Sequence, residues 1–252
     1  METLVGRNPV LESLRAGRRP ARRLLLAEGV QEEGTVSQLV AAARAHHLKI
    51  QRVPRVELDR LAQHANHQGV ALETGDYPYV TVPDMLSAAA AGGEPPFLLL
   101  LDLLQDPQNV GTLLRTAEAV GVHGVVLQRR RAVGITPAVV NASSGAVEHL
   151  LVAQETNLNR TIERLKEDGV WFYGLELSPG ATLYSVADLS GPLGLVVGSE
   201  GAGLRRLVRE TCDVIIRLPM RGRVQSLNAA VAGSIALYAV WQQRQFRGAL
   251  PA

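Results

Sequence analysis

Lysine is almost missing from this chain: of its 26 basic residues only Lys49 and Lys166 are lysine, and the rest are arginine. With a formal net charge of only +2, the charge balance does not by itself demand a polyanionic partner. Arginine does suit phosphate and base recognition, through its planar fork of donors, although arginine-rich codon usage accounts for the bulk excess equally well. Cysteine is down to one residue, Cys212, so no internal disulfide can form. Its apolar strand setting reads as a core thiol in a reducing, cytoplasmic compartment rather than a nucleophile. Histidine is sparse as well. His46-His47 and His64-x-x-His67 have no further ligands at useful spacing, so no metal site is expected. Long apolar runs are absent: the longest, Phe97 to Leu104, is interrupted by Asp102, which excludes a bilayer span there and makes a membrane partner unexpected. Met1 to Asn8 has no apolar signal core. There is no G-x-x-x-x-G-K-[ST] phosphate loop and no G-x-S-x-G elbow, which excludes nucleotide hydrolases of the first class and weakens any hydrolase reading.

What is present is a chain of 252 residues, 46% hydrophobic and 20% charged, enough for one large or two modest globular domains. In residues 1–75 helical and strand patterns alternate. Asn8-Pro9 reads as a helix start, with Gly17 as its end. A cluster of arginines follows, Arg15, Arg18, Arg19, Arg22 and Arg23. Strands are expected at Leu24–Leu26, Leu48–Val53 and Val70–Leu72, and helices at Val36–Ala45 and Pro54–Ala62. Residues 76–96, punctuated by Pro78, Pro83, Gly92-Gly93 and Pro95-Pro96, read as a linker with a short helix. From 97 to 252 the pattern is βα throughout: strands near Phe97–Leu101, Val125–Leu127, Leu150–Val152, Val170–Leu175, Leu193–Val197 and Cys212–Leu218, separated by helices. That predicts an α/β fold, a small α/β module followed by a parallel sheet covered on both faces.

Three stretches of the second half stand out. From Ile216 to Ala232 an apolar strand ends at Pro219, a polar loop with Arg221, Gly222 and Arg223 follows, and Ser226-Leu227-Asn228 opens a long small-residue helix. A loop of this kind beyond a strand's carboxyl end is where open α/β sheets bind ligands. Gly198-Ser199-Glu200-Gly201-Ala202-Gly203 is glycine-rich after a strand but lacks the dinucleotide spacing; it reads either as a tight connection or as a backbone surface for a flat ligand. Asp106 to Ala117 contains Asn109, expected to cap the helix Val110–Val120, and Arg115 among apolar neighbours. A permanent cation in such a setting needs an anionic or polar partner, either a structural ion pair with Glu118 or Glu200 or a phosphate. Arg129-Arg130-Arg131 follows a strand at the expected ligand edge.

In this order the stretches Asp106–Ala117, Val197–Leu204 and Leu218–Met220 with Ser226–Asn228 resemble the three motifs of the SpoU/TrmH family, a branch of the SPOUT RNA methyltransferases. The resemblance implies a carboxyl-terminal deep trefoil knot and S-adenosyl-L-methionine (SAM) as the methyl donor, with no metal. It assigns Gly198, Glu200, Gly201, Leu218, Met220, Ser226 and Leu227 to the cofactor, and Arg115, Asn109, Glu200, Ser226 and Asn228 to the catalytic centre. It implies methylation of a ribose 2′-hydroxyl, with 23S rRNA guanosine as the nearest target class and tRNA or an antibiotic-resistance site in rRNA as alternatives. A non-catalytic RNA-binding or ribosome-assembly role is the rival from another class. It also implies a homodimer. Residues 1–75, with His67-Gln68-Gly69-Val70, resemble the family's ribosomal-protein-like RNA-binding extension, making the Arg15–Arg23 cluster and Arg129–Arg131 candidate RNA contacts. Asn141 to Glu148 resembles a stretch near the family's active site, with Ser144, Gly145 and Glu148 as weaker candidates.

Overall fold

The structure, a computed structural model, describes residues 1–63, 65–224 and 226–249; His64 of the histidine pair considered for metal and Gln225 of the polar loop lie outside the described residues. In chain order the elements are β1 (Glu2–Val5), α1 (Arg7–Ala16), β2 (Ala21–Ala27), α2 (Thr35–Ala45), β3 (Lys49–Val53), α3 (Arg55–Ala62), β4 (Val70–Thr74) and α4 (Val82–Gly92). They continue with β5 (Phe97–Asp102), α5 (Pro107–Ala119), β6 (Gly124–Gln128), α6 (Pro137–Ala142), a 3-10 turn (Ala146–His149), β7 (Val152–Glu155) and α7 (Leu158–Glu167). The last are β8 (Trp171–Leu175), β9 (Thr182–Leu183), β10 (Leu193–Gly198), α8 (Arg206–Thr211), β11 (Val214–Arg217) and α9 (Ala229–Gln243). Two compact units result.

The first unit comprises Met1–Pro78 together with Ile135–His149. Its four-stranded sheet runs β1-β4-β2-β3, with only the β2–β3 pair parallel. Val5, Leu25, Ala27, Val53, Leu58 and Ala71 form one of its apolar clusters. β1 escaped the sequence reading because four residues carry no usable periodicity; its pairing with β4 creates it. That strand also corrects the expected helix start. Gly6, at φ 92°, turns the chain sharply from β1 into α1, so the helix begins at Arg7 and Asn8 is not its cap. Gly17 does end α1 in the left-handed conformation, its N–H donating to Ser13 O at 3.1 Å. Ile135–His149, read from sequence as part of the second domain, packs against α1 and β1. A Cβ on Gly145, φ +88°, would sit 3.0 Å from Pro9 Cα.

The second unit comprises Tyr79–Gly134 and the chain from Leu150 onward. Its sheet has seven strands in the order β7-β6-β5-β10-β8-β11-β9, every pair parallel. β5 and β10 are buried at every position, as continuous apolar runs covered on both faces require. Residues 79–96 are built into this unit and do not form a separate linker. Thr81 and Asp84 make a reciprocal capping box at the start of α4, and Val82 and Met85 enter the core. The approach to β6 is close: a Cβ on Gly124 would meet Met85 Sδ at 2.3 Å. Because all seven strands are parallel, the loops following β5, β10, β8 and β11 leave from one edge of the sheet.

Candidate active site

At that edge lies a cavity of about 900 Å³, lined by the ends of β8 and β10, the Ser199–Gly203 loop, Leu218, Met220, Val224 and Ser226 to Ala229. The volume falls in the range of small-molecule and cofactor pockets. All seven residues assigned to the cofactor, Gly198, Glu200, Gly201, Leu218, Met220, Ser226 and Leu227, line it.

Glycine is required at two points of the wall. The Gly198–Gly203 loop doubles back on itself: Ser199 and Gly203 exchange backbone hydrogen bonds at 3.2 and 3.0 Å. A Cβ on Gly198 would lie 2.3 Å from the Gly203 carbonyl carbon, which no side chain can tolerate. Gly203 itself takes φ +67°. The loop that lines the cavity is therefore closed by backbone-to-backbone contact, with no room for a side chain at Gly198.

Asn228 ties the three motif loops together. Its Oδ1 caps α9, accepting from the N–H groups of Ala230 at 2.9 Å and Val231 at 3.1 Å. Its Nδ2 donates to Asn109 Oδ1 at 2.8 Å and also to Glu200 Oε1. One side chain thereby fixes the start of α9, the first turn of α5 and the glycine loop. Asn109 is not the cap of α5: Asp106 is, accepting from Gln108 N and Asn109 N at 3.2 Å each, with Pro107 in the first turn. This leaves the buried Asn109 side chain inside the helix, facing Asn228. Of the five catalytic candidates, Asn109, Glu200, Ser226 and Asn228 are at or directly bonded to the cavity wall.

Arg115 differs from expectation. It is exposed on α5 rather than enclosed by the apolar residues beside it in sequence, which face the core on the other side of the helix. It is not among the residues lining the cavity, standing six positions beyond Asn109, about 9 Å along the helix axis.

Two ion pairs at this edge were invisible to sequence reasoning. Asp102, fully buried at the end of β5, accepts from Arg205 Nε at 2.7 Å and Arg205 N at 2.9 Å. Glu176, just beyond β8, accepts from Leu204 N at 3.2 Å and approaches Arg209 Nη1 at 3.3 Å. Both pairs brace the glycine loop and α8 from neighbouring strands. Only the interruption of the Phe97–Leu104 run by Asp102 hinted at them. Cys212 is half-buried, and burial pushes its thiol up to about 12, which leaves it a packing residue.

The amino-terminal arginine cluster is mostly occupied. The Arg19 side chain is fully buried, with Nε 3.0 Å from Glu148 Oε2, Nη2 2.9 Å from Glu148 Oε1 and Nη1 2.5 Å from Glu2 Oε2. A phosphate cannot reach it, and its assignment to RNA is corrected: it is a core ion pair. Arg18 donates to the carbonyls of Glu148 and Pro78 and lies over the Tyr77 ring, whose hydroxyl burial pushes up to about 12. Arg23 is doubly bonded to Glu73, and Arg15 to Glu12 and Gln38. Arg22 is exposed, touching only Met1 Sδ among the described residues. Ser144, Gly145 and Glu148 fall in the first unit. Ser144 and Gly145 form a left-handed turn, and Glu148 is the buried partner of Arg19, its carboxyl raised by burial against the pull of Arg19. Arg129, Arg130 and Arg131 are exposed just past β6.

Residues 96–238 match the family model of the SpoU rRNA Methylase family. The chain belongs to the SpoU/TrmH methyltransferase family. Residues 3–80 match a second model, described as RNA 2′-O ribose methyltransferase substrate binding. Among relatives, the Bacillus subtilis (strain 168) protein YacO, whose name places it among TrmH family tRNA/rRNA methyltransferases, is 44% identical over 241 residues, covering 96% of this chain and 95% of its own. Of solved structures, the AdoMet-bound rRNA methyltransferase from Sinorhizobium meliloti aligns with a TM-score of 0.77 at 25% identity, over 96% of this chain and 87% of that one. The SpoU methyltransferase AviRb from Streptomyces viridochromogenes, in complex with AdoMet, has the same fold, with a TM-score of 0.79 at 22% identity over 97% and 90% of the two chains.

Proposed function

We propose that this SpoU/TrmH family member transfers the methyl group of SAM to a ribose 2′-hydroxyl of RNA, with a guanosine of 23S rRNA as the target. The observation that carries the reading is the Asn228 clamp, which gathers the three motif loops around one cavity. The cavity fits the cofactor: its volume is that of a cofactor pocket, and its lining combines the glycine-rich loop with Leu218 and Leu227, which suits a flat purine with polar edges. The match of residues 3–80 to a substrate-binding module supports RNA as the acceptor.

Bound SAM supplies an activated methyl group on a sulfonium. The chain must align the acceptor oxygen with that group and help remove the hydroxyl proton. Asn228 orients Glu200 and Asn109 while capping α9. Arg115 is assigned to the RNA side, stabilising negative charge that develops on the ribose oxygen and holding the adjacent phosphate. A guanidinium stays protonated, so it acts by charge and hydrogen bonding rather than as a base.

The active form is assigned as a homodimer of the cytoplasm. Leu227, Val231, Ile235 and Tyr238 are between 39% and 47% exposed along one stripe from the start of α9, a row of apolar side chains that a second copy would cover. No helix among the described residues is long and apolar enough to cross a membrane. Mapping 2′-O-methyl sites in total RNA from a deletion strain tests the whole reading. One missing methyl group in 23S rRNA supports it; a missing tRNA methyl relocates the substrate, and an unchanged map contradicts it.

A further inference from the structure

The loop between Leu218 and Ser226 carries two arginines that the cofactor reading leaves without a task. Met220 and Val224 line the cavity, so Arg221 and Arg223 stand on its rim. Both are exposed, and neither has an ion pair or hydrogen bond to any described residue. Their neighbours behave differently. Arg205 is bound to Asp102, Arg209 to Glu176, and Arg217 Nε to the Ala181 carbonyl at 3.1 Å. The rim arginines are therefore not needed to neutralise a carboxylate of the fold. Between them, Gly222 has open space: a Cβ there would meet nothing within 4 Å.

The sheet places a second group of such arginines across the cavity. Arg129, Arg130 and Arg131 follow β6, are exposed, and make no ion pair with any described residue. Their loop is held at the β5 side by Gln105 Nε2, which donates to the Arg131 carbonyl at 3.1 Å. β6 and β11 are separated by four inter-strand steps, through β5, β10 and β8. At about 4.8 Å per step, the strands from which the two groups leave stand about 19 Å apart along the sheet edge. A polyanion lying across that edge would meet cations on both sides of the cavity mouth.

We propose that Arg221 and Arg223 bind backbone phosphates of the substrate RNA on the β11 side of the cofactor cavity, opposite Arg129–Arg131. The proposal rests on the RNA methyltransferase reading of this site and adds to it the path of the strand along the sheet edge. A ribose that presents its 2′-hydroxyl to the cavity carries phosphate on both sides. The acceptor nucleotide would sit between the two arginine groups, with its neighbours held by them. Such contacts position the strand without reading its sequence.

The test uses the full chain and its Arg221→Gln/Arg223→Gln variant. SAM binding is measured by calorimetry, binding of an unmethylated 23S rRNA transcript as a function of salt, and methyl transfer to it with labelled SAM. Each phosphate contact to a single strand contributes about 0.7 to the slope of log affinity against log salt. The variant should keep its SAM affinity and lose about 1.4 from that slope. At limiting RNA its methyl transfer should fall, with recovery at saturating RNA. An unchanged slope overturns the proposal, and so does a loss of SAM affinity, which would put the two arginines on the cofactor. If the wild-type chain binds SAM but transfers no methyl group to RNA, the methyltransferase reading itself has failed, an outcome distinct from an active wild type with an indifferent variant.

Discussion

Asn228 does two jobs with two ends of one amide, so a pair of substitutions can separate them. Its oxygen caps α9 and its nitrogen holds Asn109 and Glu200. Asn228→Ala removes both. Loss of an N-cap costs about 1 kcal/mol. The lost clamp adds little at the exposed Glu200, where water replaces the bond, and more at the buried Asn109, whose amide oxygen loses its donor. For a chain of this size 1 kcal/mol lowers Tm by about 2–4 °C. Asn228→Asp keeps the capping oxygen and adds a negative charge favoured at a helix amino terminus. It has no donor at pH 8, and it sets a carboxylate against Glu200 and the Asn109 oxygen. The Asp variant should therefore melt within a few degrees of the wild type while losing SAM affinity and methyl transfer. The Ala variant should lose both function and a little stability. Scanning calorimetry and SAM titration on the three proteins at pH 8 decide the matter. An Asp variant that binds SAM and transfers methyl groups as the wild type does would refute the clamp.

Arg115→Ala should reduce methyl transfer by about a hundredfold or more with SAM affinity intact, and Arg115→Lys should not restore it, since a point charge replaces a planar fork; single-turnover rates beside melting curves check this, and an unstable but active Ala variant would point to a structural role instead. Gly198→Ala drives a methyl group into the Gly203 backbone at 2.3 Å, so SAM affinity should collapse in calorimetry; normal binding would show that the loop can move aside. Arg19→Ala strands the buried Glu148 carboxylate and should destabilise the first unit by about 3–5 kcal/mol, with Arg22→Ala as a near-neutral control; a native melting curve for the Arg19 variant would contradict the ion-pair assignment.

The second unit was legible in the sequence because its strands are buried on both faces and read as plain apolar runs. Phe97–Leu101 and Leu193–Val197 announce themselves as strands. The resemblance brought together seven residues, far apart in sequence, that line one cavity in the structure. What could not be read depends on pairing at a distance. β1 exists through β4, and Asp102 and Glu176 gain meaning only from Arg205 and Arg209. Arg19 of the Arg15–Arg23 cluster misled for the same reason. A run of arginines looks like a surface until Glu148, over a hundred residues away, is found against Arg19. Arg115 misled in the opposite direction: apolar neighbours in sequence suggested burial, but helical periodicity turns them to the core and Arg115 outward.

The central claim is that three loops joined by Asn228 hold SAM for transfer to RNA ribose. Incubating the full chain with methyl-labelled SAM and an unmethylated 23S rRNA transcript, then digesting the RNA to nucleosides, tests it most directly. The account predicts that the label appears in 2′-O-methylguanosine. Label in a base-methylated nucleoside, or none in RNA despite tight SAM binding, would contradict it.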